Sequence, residues 1–401
     1  MFKGSHVLLI GTGREARKVL QDIGVDPRAY EYMTPKMLHY CVKFKALLSC
    51  EAIIIKQEML SRGGDAAVNK EVLTGRTGKT DLLLMGTAKQ YGLLAEKLKR
   101  QPGNLPAIAA ELESVLSLLE FKERTIKLAG GRELPLRGKT LIMGILNVTP
   151  DSFFDRGRFF SPGLAIDHAG RMLEQGADII DVGGASSRPG SVSIDAKEEL
   201  ERILPVVKIL AEIKGIVISV DTYRAEVARA CLEAGAHMIN DIGGLQLDAD
   251  LGTVVAEHRA GIVLMHNRLQ RRHGELYQDL IADIAAELDD FIKQANTCGI
   301  KDEQIIVDPG IGFGKTPKQS LKLLKNWESF KGWGLPTLLG ASRKSFIGQN
   351  LNLEVTQRLE GSLAVLAWGV MNGADIVRVH DVEASVRTIR MLEAIMDEEI
   401  L

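Results

Sequence analysis

From about residue 138 onward a single pattern of hydrophobic and polar positions repeats. A short β-branched or aliphatic run ends in a polar residue or glycine, and an amphipathic stretch follows. The runs are LIMGILNV (141–148), IIDVGG (179–184), VISVDT (217–222), HMINDI (237–242), GIVLMH (261–266), IIVDPG (305–310), TLLGAS (337–342) and IVRVHD (376–381). Between them, stretches such as AEVARACLEAGA and DLIADIAAELDDFIKQANTCG carry apolar residues at three- and four-residue spacing and stop at glycine, which predicts helices. Continuous apolar strands alternating with helices predict a parallel sheet covered by helices. Eight such units in about 260 residues match a (β/α)8 TIM barrel in count and size. A doubly wound open sheet is the alternative, but the lack of a charged edge strand favours closure.

Just ahead of these units, TIKLAGGRELPL (125–136) predicts a hairpin that would cap the open N-terminal end of the barrel. Residues 1–122 predict a separate small α/β domain, leaving 123–401 for the barrel and its hairpin. In the first domain VLLIG (7–11) and DLLLMG (81–86) are expected to be strands. EARKVLQDIG, MLHYCVKFKALLS (opened by Thr34 and Pro35), AKQYGLLAEKLKRQ and PAIAAELESVLSLLE are expected to be helices. Gly11-Thr12-Gly13 resembles a dinucleotide fingerprint, but no second strand ends in an acidic residue about 20 positions later. A tight strand-to-helix turn is the expectation. Gly78-Lys79-Thr80 and Gly314-Lys315-Thr316 fail as phosphate loops because Leu73 and Pro309 stand where the first glycine belongs.

Composition narrows the class. Hydrophobic content of 45% and charged content of 25% exclude disorder, collagen and coiled coil. A formal net charge of −2 removes any general case for nucleic-acid or anionic-membrane binding. No apolar run approaches the roughly 18 residues of a membrane span, and the opening segment is too short for a signal-peptide core. Cys41, Cys50, Cys231 and Cys298 lie far apart with no CxxC pair, so reduced thiols in a cytoplasmic protein are expected.

Active-site residues of such barrels sit at the carboxyl ends of the strands. Those ends read Asn147, Asp181, Asp221, Asn240, His266, Asp308, Ser342-Arg343-Lys344, Arg378 and His380. One isolated Asp there is commonly a helix cap, which suits Asp181 and Asp241; polar groups at nearly every strand end are not explained that way. Asp221, Asn240 and Asp308 suit the N–H-rich edge of a flat heterocycle. Arg188, Arg343, Lys344, Arg378 and His380 suit phosphate or diphosphate, and GGASSRPG (183–190) adds hydroxyls and backbone amides. Arg378 and His380 alternate along one strand and so point to one side. Metal-dependent hydrolases would want His-x-His at the first strand, and no His/Cys cluster serves zinc. An enolase-type site would want acids ending three successive strands; the fifth ends Met265-His266. Lys344 would serve a Schiff-base aldolase, although its position suits anion or ring contact as well.

LNVTPDSF (146–153), IIDVGGASSRPG, ISVDT, INDI, VDPGIGFGK, GASRKS and IVRVHDV together resemble the dihydropteroate synthase family over roughly residues 125–400. The resemblance implies a (β/α)8 barrel, usually a homodimer. Such enzymes join p-aminobenzoate to (7,8-dihydropterin-6-yl)methyl diphosphate with Mg2+, releasing diphosphate by dissociative substitution without a protein nucleophile. By position, it implies that Asp221, Asn240, Asp308 and Lys344 bind pterin. Ser187, Arg188, Arg378 and His380 would contact diphosphate, Asn147 would ligate Mg2+, and Asp155 would approach the metal. Phe313, Pro189 and Ser345 would line the p-aminobenzoate pocket, with Asp221, Lys344, Arg378 and His380 expected to carry catalysis.

The chain departs from the family pattern at Ala185, at Arg156 and in NRLQRRHG (267–274), which replaces an MHMQGNP-type sequence after Met265-His266. None of these removes an expected ligand. A pterin-binding methyltransferase acting on methyltetrahydrofolate would have no use for Arg378-x-His380, and a catalytically silent pterin binder would be expected to have lost Asn147 or the cationic pair. IIIKQEMLSRGGDAAVNK resembles extensions on some clostridial-type bacterial members; residues 1–122 offer no site that signals a second activity.

Overall fold

The computed structural model describes residues 4–72, 74–117, 124–136, 138–149, 162–185, 194–268 and 277–396. The chain divides into two compact units, Met1–Lys122 and Glu123–Leu401. The first runs α1 (Gly13–Ile23), α2 (Tyr30–Met37), β1 (His39–Leu48), α3 (Ser49–Leu60), β2 (Asp65–Val68), β3 (Lys79–Thr87), α4 (Ala88–Leu98) and α5 (Leu105–Ser117). Its sheet has the order β1-β3-β2, with both outer strands antiparallel to β3. Strands β1 and β2 therefore run the same way and are linked by α3, a split β-α-β arrangement. Phe44, Ile55, Met59, Leu84, Tyr91 and Leu98 anchor its core.

Two expectations for this unit fail. Residues 7–11 form no strand: Val7 and Leu9 are 86% and 93% exposed, and no described strand pairs with them. Apolar content alone cannot make a strand without a partner for its backbone. MLHYCVKFKALLS is not a helix either, because Thr34 and Pro35 fall inside α2 and the chain then extends as β1. Val42 and Phe44 are buried while Lys43 and Lys45 are exposed, the two-residue alternation of a half-covered strand. The Gly11-Thr12-Gly13 turn is satisfied internally. Glu15 Oε2 accepts from the Gly11 and Thr12 amides at 2.8 and 3.2 Å, while Thr12 caps α1.

The second unit opens with a hairpin of β4 (Arg124–Lys127) and β5 (Glu133–Leu136). There follow β6 (Leu141–Asn147), α6 (Pro162–Glu174), β7 (Ile179–Gly183), α7 (Ala196–Ala211), β8 (Val217–Asp221), α8 (Ala225–Glu233), β9 (Met238–Asp241), α9 (Leu251–Glu257), β10 (Gly261–Met265) and α10 (Leu280–Thr297). The chain ends with β11 (Ile305–Asp308), α11 (Pro317–Lys325), β12 (Leu338–Leu339), α12 (Ser345–Leu351), α13 (Leu359–Met371), β13 (Ile376–Val379) and α14 (Val382–Met396). All neighbours in the sheet are parallel, in the order β11-β10-β9-β8-β7-β6-β13-β12. A parallel bridge between Val307 and Thr337 joins the two ends. The architecture is thus the TIM barrel, not the open sheet. No helix among the described residues is long and apolar enough to cross a membrane.

The hairpin plugs the amino end of the barrel. Ile126, Leu128, Leu134 and Leu136 form one buried cluster with residues near the start of every barrel strand, among them Met143, Ile179, Met238, Ile306 and Ile376. Arg124 pairs with Asp375, whose other carboxylate oxygen accepts from the Thr337 amide at 2.8 Å. With its lower end sealed by apolar contacts, the barrel opens toward the carboxyl ends of its strands. Ile126 is 1% exposed. Ile126→Ala should destabilise the fold by about 2–5 kcal/mol, read as a lowered urea midpoint at unchanged slope.

Candidate active site

At the open end, inward positions that lower down carry Ile, Val and Met change to charged groups. Asp181 on β7 is fully buried, and its Oδ2 accepts from Arg378 Nε at 2.6 Å and from Asn240 Nδ2 at 3.0 Å. Arg378 also donates through Nη2 to Asp221 Oδ2 at 2.7 Å. Strands β7, β8, β9 and β13 thereby deliver two carboxylates, an amide and a guanidinium to one cluster. Burial pushes the Asp221 carboxyl up while Arg378 opposes the shift, which makes it a stronger hydrogen-bond acceptor than an exposed carboxylate.

Asp308 ends β11, only 4% exposed; its Oδ1 accepts from the Gly310 amide at 2.7 Å. Burial raises its pKa, with Lys344 pulling the other way. The Lys344 ammonium donates to the Ile311 carbonyl at 2.5 Å and lies 4.3 Å from the centre of the Phe313 ring. Burial brings its pKa down to about 8, partly offset by Asp308. Glycines lie beside these groups. A Cβ on Gly340 would lie 3.7 Å from Asp308 Oδ2 and 3.9 Å from Arg378 Cβ, and one on Gly183 3.7 Å from Asp221 Oδ2 and 3.8 Å from Asn147 Oδ1. Gly310 has φ +69°, and a Cβ there would stand 2.0 Å from the His266 carbonyl oxygen, so no other residue fits this turn.

The remaining candidates are distributed around this centre. Asn147 is exposed at the end of β6, and Ser345 is exposed at the start of α12. His380 follows β13, with Nδ1 3.1 Å from Ser342 Oγ. Arg343 is clasped by Asp381 through two bonds of 2.7 and 2.6 Å, an ion pair that holds its own loop. Asp241 accepts from the Gly243 and Leu245 amides at 2.7 and 2.6 Å, a turn-stabilising role. Asp155, Arg156, Ser187, Arg188 and Pro189, together with residues 269–274 of the departing loop, lie outside the described residues. Ala185 is half-buried beyond the end of β7.

Residue-by-residue reading overlooked a buried chain behind the site. Lys315 Nζ is 3.0 Å from His266 Nδ1 and 3.1 Å from the Phe313 carbonyl; His266 Nε2 is 3.0 Å from Glu287 Oε2, and Arg268 donates to Glu287 Oε1 at 2.5 Å. Burial lowers His266 to about 4, so the ring is neutral and its Nε2–H donates to Glu287. Burial opposes ionisation of Glu287, but bonds from His266 and Arg268 outweigh it and bring its carboxyl down to about 2. Glu287 lies mid-helix in α10, where no strand-end rule points. Lys315 sits in a segment weighed only as a phosphate loop. Asp181, given a capping role from its type and position, instead bonds across the barrel.

The pterin binding enzyme family matches residues 143–380. Dihydropteroate synthase of Clostridium beijerinckii is 46% identical over 268 residues, 67% of this chain and 98% of that protein. A crystal structure of dihydropteroate synthase from Clostridium difficile in the presence of pteroic acid is 46% identical with a TM-score of 0.61, covering 64% of this chain and 97% of that one. A probable bifunctional folylpolyglutamate synthase/dihydropteroate synthase of Halobacterium salinarum is 37% identical over 385 residues, 95% of this chain and 46% of that longer protein. The barrel, its charged mouth and these likenesses place the chain in the pterin binding enzyme family, among the dihydropteroate synthases.

Proposed function

We infer that this chain transfers the pterin-methyl group of (7,8-dihydropterin-6-yl)methyl diphosphate to p-aminobenzoate, giving 7,8-dihydropteroate and diphosphate in folate biosynthesis. The observation that carries the reading is the joining of Asp221, Asn240 and Arg378 at one barrel mouth, with Asp308 and Lys344 beside them. A flat ring rich in N–H donors matches the buried carboxylates, and Lys344 and Arg378 offset their charge. We assign Asp221, Asn240, Asp308 and Lys344 to the pterin, and Arg378 and His380, with Ser187 and Arg188, to the diphosphate. Phe313 and Ser345 are assigned to the p-aminobenzoate side. The residues are proposed to act by positioning, with no covalent intermediate on the protein: acceptors stabilise the pterin as its C–O bond breaks, and the cations receive the diphosphate, which leaves with the bonding pair. The amine of p-aminobenzoate then attacks the exposed methylene carbon and, as the C–N bond forms, gives up one proton to solvent.

Mg2+ suits this donor set. Asn147 offers a neutral oxygen at the rim, and no group of three His, Cys, Asp or Glu among the described residues forms a dedicated cage. A hard ion shared with substrate phosphates needs few protein ligands. Asn147, with Asp155, would hold the ion, which when bound neutralises charge on the diphosphate.

We also propose a homodimer. Exposed apolar side chains concentrate on α11 to α14, including Leu321, Leu351, Trp368, Met371, Met391 and Ile395; elsewhere on the barrel's described helices only Leu164 and Ile209 are comparable. The free Cys41, Cys50, Cys231 and Cys298 support a reducing, cytoplasmic setting.

The purified protein should release diphosphate only when p-aminobenzoate is present, with a product of the mass of dihydropteroate; EDTA should stop release and Mg2+ restore it. Arg378→Ala should lower kcat by about 100-fold or more. Pterin binding without turnover would defeat the reading. Lys344 is protonated below about pH 8 and neutral above it. Affinity for the pterin diphosphate should therefore fall as pH rises past about 8, and Lys344→Met should remove that alkaline limb while binding weakly throughout. Sedimentation should give twice the 43.8 kDa chain mass, and Trp368→Asp with Met391→Asp should return the monomer.

A further inference from the structure

We propose that Asp181 is the positioning residue that aims Arg378 and Asn240, so that the ring pocket and the anion clamp form one coupled unit; this rests on the roles assigned above to those two residues. Asp181 is 0% exposed and touches no open surface. One of its oxygens, Oδ2, takes both Arg378 Nε at 2.6 Å and Asn240 Nδ2 at 3.0 Å. The Nε bond fixes the plane of the guanidinium, and the Nη2 bond to Asp221 at 2.7 Å fixes its rotation within that plane. The Asn240 bond orients the amide so that its nitrogen faces the barrel interior and its oxygen is left for another donor. A buried carboxylate beneath an anion site works against anion binding by charge alone. Its place here is explained by geometry, since no neutral group holds a guanidinium and an amide as firmly.

The second oxygen makes the idea testable without wrecking the fold. Asp181 Oδ1 is buried and has no hydrogen-bond partner among the described residues, and neither has Oγ of Ser219, also fully buried. Asp181 and Ser219 are register partners on β7 and β8. In Asp181→Asn the amide oxygen still faces Arg378 and Asn240 but, as a neutral acceptor, holds the guanidinium less firmly, while its NH2 group replaces Oδ1 next to the strand that carries the unpartnered Ser219 hydroxyl. Size is conserved, and one negative charge is lost.

The variant should retain its melting temperature within a few degrees and bind inorganic diphosphate about two- to tenfold more tightly by calorimetry, because a buried negative charge has gone. Turnover should nevertheless fall, kcat dropping about 10- to 100-fold as Arg378 loses its aim, with weaker binding of 6-hydroxymethylpterin. A merely structural role would move both affinities and the melting temperature down together, and that outcome, or kcat within twofold of the parent, would overturn the proposal. In an Arg378→Ala background, adding Asp181→Asn should cost little further kcat; fully multiplicative losses would mean that Asp181 does not act through Arg378. If the parent protein shows no p-aminobenzoate-dependent turnover, the activity reading fails separately. The opposed shifts in diphosphate and pterin affinity then still support the role of Asp181, and unchanged affinities overturn it.

Discussion

The guanidinium of Arg378 is the contact on which the mouth of the barrel depends. It lies between two carboxylates, one of them fully removed from solvent. A buried ion left unpaired costs several kcal/mol, and a cluster of three charges is tolerated only when each meets an opposite partner at short range. At 2.6 and 2.7 Å both pairings meet that condition. The barrel fixes who can take part. Asp181, Asn240 and Arg378 come from the second, fourth and eighth barrel strands, and inward side chains of alternate strands share a layer in this architecture. The uppermost layer, which in most barrels holds branched aliphatics, is here a hydrogen-bonded set of opposite charges. That layer forms the floor of the site.

Below it the barrel is packed chiefly with apolar side chains, and the contrast has a physical basis. The hairpin buries Ile126, Leu128, Leu134 and Leu136 against the strand starts, so water is excluded from one end only. Charges at the other end therefore sit on a low-dielectric floor, where an interaction with a substrate charge is screened less than on an open surface. The same burial moves Asp221 and Asp308 up and Lys344 down. Both shifts bring the two protonation states closer in energy, a setting suited to groups that exchange one partner for another when a ligand arrives.

How legible this was from the sequence depends on the range of the interaction. All eight barrel strands lie within the hydrophobic runs, because a strand buried on both faces leaves a continuous apolar signature. The hairpin was legible from a different signal, the Ala-Gly-Gly turn between two short strands. Local pattern failed in the first unit, where MLHYCVKFKALLS is a half-covered strand whose alternation of Val42 and Phe44 with Lys43 and Lys45 is only four residues long. Residues 7–11 show the converse, an apolar run that no strand takes up. At the site, residue types at strand ends were readable, since position along a barrel strand already places a side chain at the mouth. Pairings were not. Nothing local distinguishes Asp181, which bonds residues 59 and 197 positions away, from Asp241, which bonds amides two and four positions on.

The departing segment after His266 shows how such a site accepts change. Arg268 replaces nothing in the cluster of Arg378; it pairs with Glu287, and its guanidinium lies 3.8 Å from the Tyr277 ring centre. Those contacts tie the two described flanks of residues 269–276 together. Through Glu287 and His266 they also reach Lys315, which holds the Phe313 carbonyl. The Phe313 ring in turn faces the Lys344 ammonium. A basic residue introduced into this segment is thus neutralised by an acid on α10, instead of adding an uncompensated charge near the mouth. Arg268 can depart from the family pattern because its charge is balanced locally by Glu287, while the charges at the barrel mouth are balanced across the barrel.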